Sequence, residues 1–278
     1  MMDPFLMEEN LEKWFTLHPQ KTVLGFSGGI DSALLAQAMV RAYEKKILPE
    51  ILAIFASSPT GGGSLPEEVS ALAAEIGIPL QVLESEELKD PEFARNDDQR
   101  CYYCKRHRFS RMLEIAGKEA LLLDGSNADD QKEYRPGTRA VRELNVRSPL
   151  AELNFTKEDI RNLARFWGIS IAEKPSEPCL ATRIAYGISI EPSLLARIEK
   201  GEDLLHELGF PVCRVRADRL DTARIEIPES QFSLLNTPRI REKITEELRK
   251  EGFQFIALDL EGFRSGKMNR RIFAEKEI

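Results

Sequence analysis

Residues 21–32 read Lys-Thr-Val-Leu-Gly-Phe-Ser-Gly-Gly-Ile-Asp-Ser, an apolar run that ends in a glycine-rich turn. The run 21–26 has the length and apolarity of a buried strand, and the Ala- and Leu-rich stretch 33–43 behind the turn predicts a helix. A strand, a turn and a helix in that order make a cradle for phosphate. Gly28 and Gly29 let the backbone approach phosphate oxygens, and the helix start presents unpaired N–H groups and the positive end of its dipole. Ser27 and Ser32 add hydroxyl donors, and Asp31 is placed to hold a magnesium ion bridging phosphates. The turn carries no lysine, so it is not the GxxxxGK[ST] loop of kinases and GTPases.

Outward from this turn the same rhythm repeats. Apolar runs at 51–56, 79–83 and 120–123 predict strands. Helices are predicted at 66–76, with a Pro start and Gly77 as a stop, and at 109–116. Thr156-Lys157-Glu158-Asp159 is a capping-box sequence opening a helix that stops at Gly168. Strands alternating with helices predict an α/β domain with a parallel sheet. Ligands of such sheets bind beyond the carboxyl ends of the strands, which makes 27–32, 57–64 and 124–130 the functional loops. After Gly187 the order becomes helix (192–208), strands (212–217 and 223–227), a long helix (about 229–251) and a strand (255–260), a smaller C-terminal α+β domain. The boundary falls in the Pro-containing stretch 174–187, giving domains 1–187 and 188–278.

Composition excludes several classes. With 278 residues, at about 150 per domain, two modest domains are expected. No apolar run approaches the ~18 residues of a membrane span, and the first twenty residues carry acids where a secretory signal would be basic and apolar, which predicts a cytoplasmic protein without membrane contact. Acids outnumber bases 46 to 39, a net charge of −7 that argues against a nucleic-acid partner. In such a chain Cys101, Cys104, Cys179 and Cys213 point to metal or catalytic use rather than disulfides. Cys101 and Cys104, at i,i+3, share one helix face, and thiolates suit iron–sulfur clusters or zinc. Lys105, Arg106, Arg108 and Arg111 favour thiolates and offset cluster charge. Three thiolates, from Cys101, Cys104 and Cys179, would leave one iron of a 4Fe-4S cluster open for an extra sulfide. Structural zinc completed by His107, or ordinary buried cysteines, are the alternatives. Cys213 alternates with Val215 on a predicted strand and belongs to the core. Arg214 and Arg216, at i,i+2, face one side of that strand and form a bidentate clamp for a nucleotide phosphate, or else a solvated sheet face. Glu226 orders these arginines or contacts substrate, or else is a surface ion-pair partner. Asp124, Asn127 and Asp130 contact nucleotide or substrate, Arg135 and Arg139 offset phosphate charge, and Arg264 and Lys267 read as solvated or at a subunit contact. The three histidines (His18, His107, His206) form no HExxH or Ser-His-Asp pattern.

SGGxDS resembles the PP-loop of the ATP pyrophosphatases, an adenine nucleotide alpha hydrolase-like fold. The resemblance implies ATP bound by Ser27, Gly28, Gly29, Asp31 and Ser32, with adenine at the end of the second strand near Ser57. FSGGIDS, LLLDGSNADDQKEYRPG, the Cys179 segment with RIAYG, GFPVCRVR, ARIEIPE and LDLEGFRSGKMN together resemble the LarE family of ATP-dependent sulfur transferases, over nearly the whole chain. That implies adenylation of the carboxylates of pyridinium-3,5-biscarboxylic acid mononucleotide and their conversion to thiocarboxylates, for nickel-pincer nucleotide biosynthesis. ATP and Mg2+ are the implied cofactors, and a homo-oligomer is implied. One subtype of the family sacrifices the cysteine matching Cys179; another holds a 4Fe-4S cluster on three cysteines. Cys101, Cys104 and Cys179 resemble the second, with the sulfur donor that reloads the cluster left open. The rival readings are the sacrificial use of Cys179, a tRNA thiolation enzyme, an ammonia-dependent synthetase and a non-catalytic nucleotide- or cluster-binding sensor.

Overall fold

A strand buried on both faces needs helices on both sides, and this decides the architecture of the first half of the chain. The computed structural model describes residues 2–61, 65–132, 135–175, 178–264 and 267. Its opening elements are α1 (Pro4–Thr16), β1 (Thr22–Gly25), α2 (Ile30–Glu44), β2 (Ile51–Ser57), α3 (Pro66–Ile76) and β3 (Leu80–Glu84). Then come α4 (Pro91–Ala94), α5 (Arg100–Ala116), β4 (Leu121–Leu123), α6 (Gly137–Glu143), α7 (Pro149–Glu152) and α8 (Lys157–Phe166). The last are α9 (Pro192–Glu207), β5 (Arg214–Asp218), β6 (Thr222–Glu226), α10 (Pro238–Lys250) and β7 (Phe255–Leu258).

The chain divides into two compact units. The first comprises Met1–Ser58, Gly63–Glu87 and Cys101–Glu177; the second comprises Pro59–Gly62, Leu88–Arg100 and Pro178–Ile278. The sequence expectation of domains 1–187 and 188–278 runs along the chain without these exchanges. In the first unit the sheet is parallel throughout, in the order β3-β2-β1-β4. Leu24, Ala53, Phe55 and Leu123 pack on one side with α1, α2, α3 and α8. Val23, Ile54 and Leu122 pack on the other with Phe109 and Met112 of α5 and Val141 of α6. The strand order reverses at β1, between β2 and β4, and a crevice for ligands opens at the carboxyl ends there. The α/β expectation is therefore met, with the phosphate loop at the switch point.

The second unit carries a separate sheet in which β5 and β6 are antiparallel and β7 lies parallel to β6. Here the helix predicted over 229–251 is broken. A 3-10 turn, Glu229–Asn236, gives way to α10 at Pro238, because Pro sets the residue before it, Thr237, in extended backbone (φ −74°, ψ 114°). The helix predicted at 109–116 extends back to Arg100, and α1 has no counterpart among the expected elements. Among the described residues no helix is long and apolar enough to cross a membrane.

Candidate functional site

The turn after β1 is built by glycine. Gly28 has φ +75°, a conformation open to glycine at no steric cost, and Gly29 caps α2 without a side chain. The first N–H groups of α2 are thus left for an anion. Buried Ser32 braces the turn: its hydroxyl donates to the Gly29 carbonyl at 2.9 Å and accepts from the Ser27 N–H at 3.3 Å. The Ser27 hydroxyl lies 3.2 Å from that of Ser32 and accepts from the Gly29 N–H at 3.3 Å. Ser57 ends β2, where its carbonyl accepts from the Ser85 N–H.

Residues from the far side of the switch point converge on this loop. Asp31 accepts from Asn127 Nδ2 at 3.1 Å and from the Nζ of Lys157. Asn127 is buried and orders its own loop, accepting from the N–H groups of Asp129 and Asp130. Burial raises the pKa of Asp130, and the nearby charge of Asp31 adds to this against the hydrogen bond from Asn127 and the charge of Arg135. Two carboxylates close enough to feel each other beside a phosphate cradle fit magnesium, which takes one or two carboxylates together with phosphate oxygens. Gly125 makes the approach possible: a Cβ there would stand 3.1 Å from the N atom of Ser32. Lys157 is the residue that sequence reasoning passed over. It supplies from the first turn of α8 the cation that the loop itself lacks, and its only sequence signal was the capping box of Thr156 and Asp159, which the structure forms.

On α5, Cys101 is exposed and Cys104 half-buried. Lys105, on the same helix, donates to buried Asp124 at 2.9 Å. Burial works against the charge of Asp124, but Lys105 and the Ser126 and Ser148 hydroxyls outweigh it and hold its pKa below the usual value. Arg139 lies 3.5 Å over the ring of Tyr102, and Arg135 pairs with Asp130 at 2.9 Å. Fully buried Glu87 takes hydrogen bonds from Ser58, Ser85 and Arg108. Burial alone would raise its pKa, but the Arg108 charge and these bonds bring it down to about 2.

Cys179, half-buried, belongs to the second unit and precedes the 3-10 turn Leu180–Arg183. All four cysteines are free thiols, and among the described residues no group of three or more His, Cys, Asp and Glu side chains is gathered to hold a metal ion. The i,i+3 spacing of Cys101 and Cys104 on α5 nevertheless suits two ligands of a soft metal or cluster. Cys213 is fully buried, and burial together with Glu202 pushes its thiol up to about 12.

The arginines of β5 are unlike each other. Arg216 is buried, with Nε and one terminal nitrogen on Glu226 at 3.0 and 2.8 Å and the other on the Thr182 carbonyl at 2.8 Å. Fully buried Glu226 also accepts from Arg224 at 2.7 Å, so it orders the arginines. Arg214 has no carboxylate partner among the described residues; it lies over the Phe263 ring at 5.1 Å. Burial and the charges of Arg183 and Arg216 depress its pKa against the opposing charge of Glu202, and one terminal nitrogen donates to the Cys213 carbonyl at 2.6 Å. Of the two readings of Lys267, the structure does not match the solvated one: its side chain is 10% exposed and paired with Asp259 and Glu261. Residues 62–64 of the expected 57–64 loop, and 265, 266, 268 and 269 of the SGKMN stretch, lie outside the described residues.

No family model matches the chain. It is 35% identical over 267 residues to an uncharacterized protein of Synechocystis sp., covering 94% of this chain and 96% of that one. It is 33% identical over 255 residues to the pyridinium-3,5-bisthiocarboxylic acid mononucleotide synthase of Lactiplantibacillus plantarum, covering 90% and 89%. Among solved structures it is similar to the NAD+ synthetase of Burkholderia pseudomallei, with a TM-score of 0.50 and 17% identity over 64% of this chain and 72% of that one. At that identity the likeness is one of fold.

Proposed function

The chain belongs to the LarE family of ATP-dependent sulfur transferases, and from that premise we propose that it converts the carboxylates of pyridinium-3,5-biscarboxylic acid mononucleotide to thiocarboxylates. The observation that carries this reading is the match, over 90% of this chain and 89% of the other, to a bisthiocarboxylic acid mononucleotide synthase. A phosphate loop with its own carboxylate and lysine supports it. In the first step a substrate carboxylate oxygen attacks the α-phosphorus of ATP, the bond to the bridging oxygen breaks, and pyrophosphate leaves. In the second a sulfide nucleophile adds to the acyl carbon and AMP departs with the bonding electron pair.

The loop of Ser27, Gly28, Gly29 and Ser32 holds the β- and γ-phosphates through N–H and hydroxyl donors, and Ser57 flanks the adenine. Asp31 and Asp130 would hold the magnesium ion, which would offset phosphate charge. Lys157, which donates to Asp31, would place its ammonium beside the phosphates, so charge forming on the leaving pyrophosphate would meet a prearranged partner. Arg214 receives the phosphate of the mononucleotide. Arg216, already committed to Glu226, fixes the strand beneath it, so the clamp rests on Arg214 and Glu226 acts through the arginines. Cys101, Cys104 and Cys179 would hold a 4Fe-4S cluster, which supplies a labile sulfide when bound. The first unit would thus activate and the second bind the substrate.

Anaerobic incubation with ATP, magnesium, sulfide and the biscarboxylate mononucleotide, followed by mass spectrometry of product and protein, tests this. The expected result is thiocarboxylate product with more than one sulfur transferred per chain, from protein containing iron and acid-labile sulfide. One sulfur per chain with Cys179 left as dehydroalanine would replace the cluster by a sacrificed cysteine. Absence of substrate-dependent pyrophosphate release would overturn the enzyme reading.

A further inference from the structure

The segment 178–188, which contains Cys179, is held largely through its backbone carbonyls. Those of Pro178, Ala181, Thr182, Ala185 and Ile188 accept from side chains elsewhere in the second unit or segment: Arg183 at 2.8 Å, Arg100 at 2.7 Å, Arg216 at 2.8 Å, and Asn96 at 3.0 and 2.8 Å. Arg183 and Arg216 are neutralised by Glu202 and Glu226. Asn96 and Arg100 are different. Asn96 is fully buried and left-handed, φ +56°, a conformation that asparagine tolerates better than most side chains. Its Nδ2 faces three carbonyls, its Oδ1 accepts from Arg100 at 2.7 Å, and its own carbonyl accepts from the Gly187 N–H at 3.0 Å. Arg100 is 4% exposed, lies 4.9 Å over the Tyr186 ring, and has no carboxylate partner among the described residues.

A buried guanidinium with no carboxylate partner among the described residues and a left-handed buried amide are both costly; the amide spends its N–H donors on this segment, and one nitrogen of the guanidinium bonds both the Ala181 carbonyl and the Asn96 Oδ1. We infer that Asn96 and Arg100 are positioning residues that latch the Cys179 segment in the one backbone arrangement from which its sulfur is delivered. The inference rests on the proposed role of Cys179 as a sulfur-bearing residue. Neither side chain belongs to the phosphate loop, so adenylation does not depend on the latch.

The test uses the full-length protein prepared anaerobically, comparing wild type with Asn96→Gly, which accepts the same φ but deletes the side-chain bonds, and with Arg100→Lys, which keeps charge and one donor. Hydrogen exchange of peptides spanning 180–190 should speed up about tenfold or more in Asn96→Gly, since several buried hydrogen bonds are lost there. Sulfur transferred per pyrophosphate released should fall about tenfold, while substrate-dependent pyrophosphate release stays within about twofold, a split that separates delivery from activation. Arg100→Lys should keep most of the wild-type sulfur yield. Unchanged exchange, or sulfur transfer and pyrophosphate release falling in step, would overturn the latch. A wild type that releases pyrophosphate but passes on no sulfur would instead overturn the proposed function, with the exchange data still deciding whether the latch exists.

Discussion

Lys157 shows what a single side chain contributes when it arrives from a distant part of the chain. Its ammonium donates to Asp31, so the carboxylate at the phosphate loop already has a counter-charge. Lys157→Met should lower the rate of substrate-dependent pyrophosphate release by about a hundredfold or more, with little change in melting temperature, because the pair is partly exposed. Glu87 is a second case, and its effect is on stability. Its pKa of about 2 in the folded chain lies below the ordinary 4.5, so the fold favours the charged form. The stabilisation is therefore full above pH 4.5 and is lost as pH falls from 4.5 towards 2. Glu87→Gln should cost about 2–3 kcal/mol near neutrality, and denaturant melts at successive pH values should show the two proteins converging through that window.

Among the elements, the meeting of the β4 loop with α2 decides whether the site is assembled. The loop reaches the N-terminus of α2 only because residue 125 has no side chain. Gly125→Ala should destabilise the chain by about 1–3 kcal/mol through overpacking and raise KM for ATP, since the shift displaces Asn127 from Asp31. Denaturant unfolding together with pyrophosphate release kinetics measures both. A Gly125→Ala protein with unaltered KM would show that the loop relaxes without moving Asn127. The break at Thr237–Pro238 belongs to the same scale. Two helical turns of different kind replace one long helix because Pro restricts its neighbour, a local rule that periodicity alone overrides in a reading of the sequence.

Under the proposed function the two units carry different steps, and these can be separated experimentally. The phosphate loop, Asp31 and Lys157 lie in the first unit, and Arg214 lies in the second. Arg214→Ala should raise KM for the mononucleotide about tenfold or more, the loss of a charge-assisted contact, and leave the affinity for ATP unchanged in equilibrium binding. Arg216→Ala should behave differently, because it removes one of the two arginine partners of the buried carboxylate of Glu226 and leaves Arg224 alone on it, and so should lower the melting temperature as well.

The parallel sheet, the phosphate loop and its residues Ser27 to Ser32 were legible in the sequence, because strand, turn and helix are local patterns and glycine acts on its own backbone. So were the capping box of α8, the core position of Cys213 and the family motifs. Lys157 beside Asp31, 126 residues away, was not. Nor was the difference between Arg214 and Arg216, which alternation along a strand makes equivalent and which only the carboxylate on the neighbouring strand separates. Asn96 in its left-handed turn, spending its amide on carbonyls some ninety residues on, leaves no pattern in sequence at all. Local propensity determines which elements form; which charges meet, and which are left open for a ligand, is decided by packing between residues far apart in the chain.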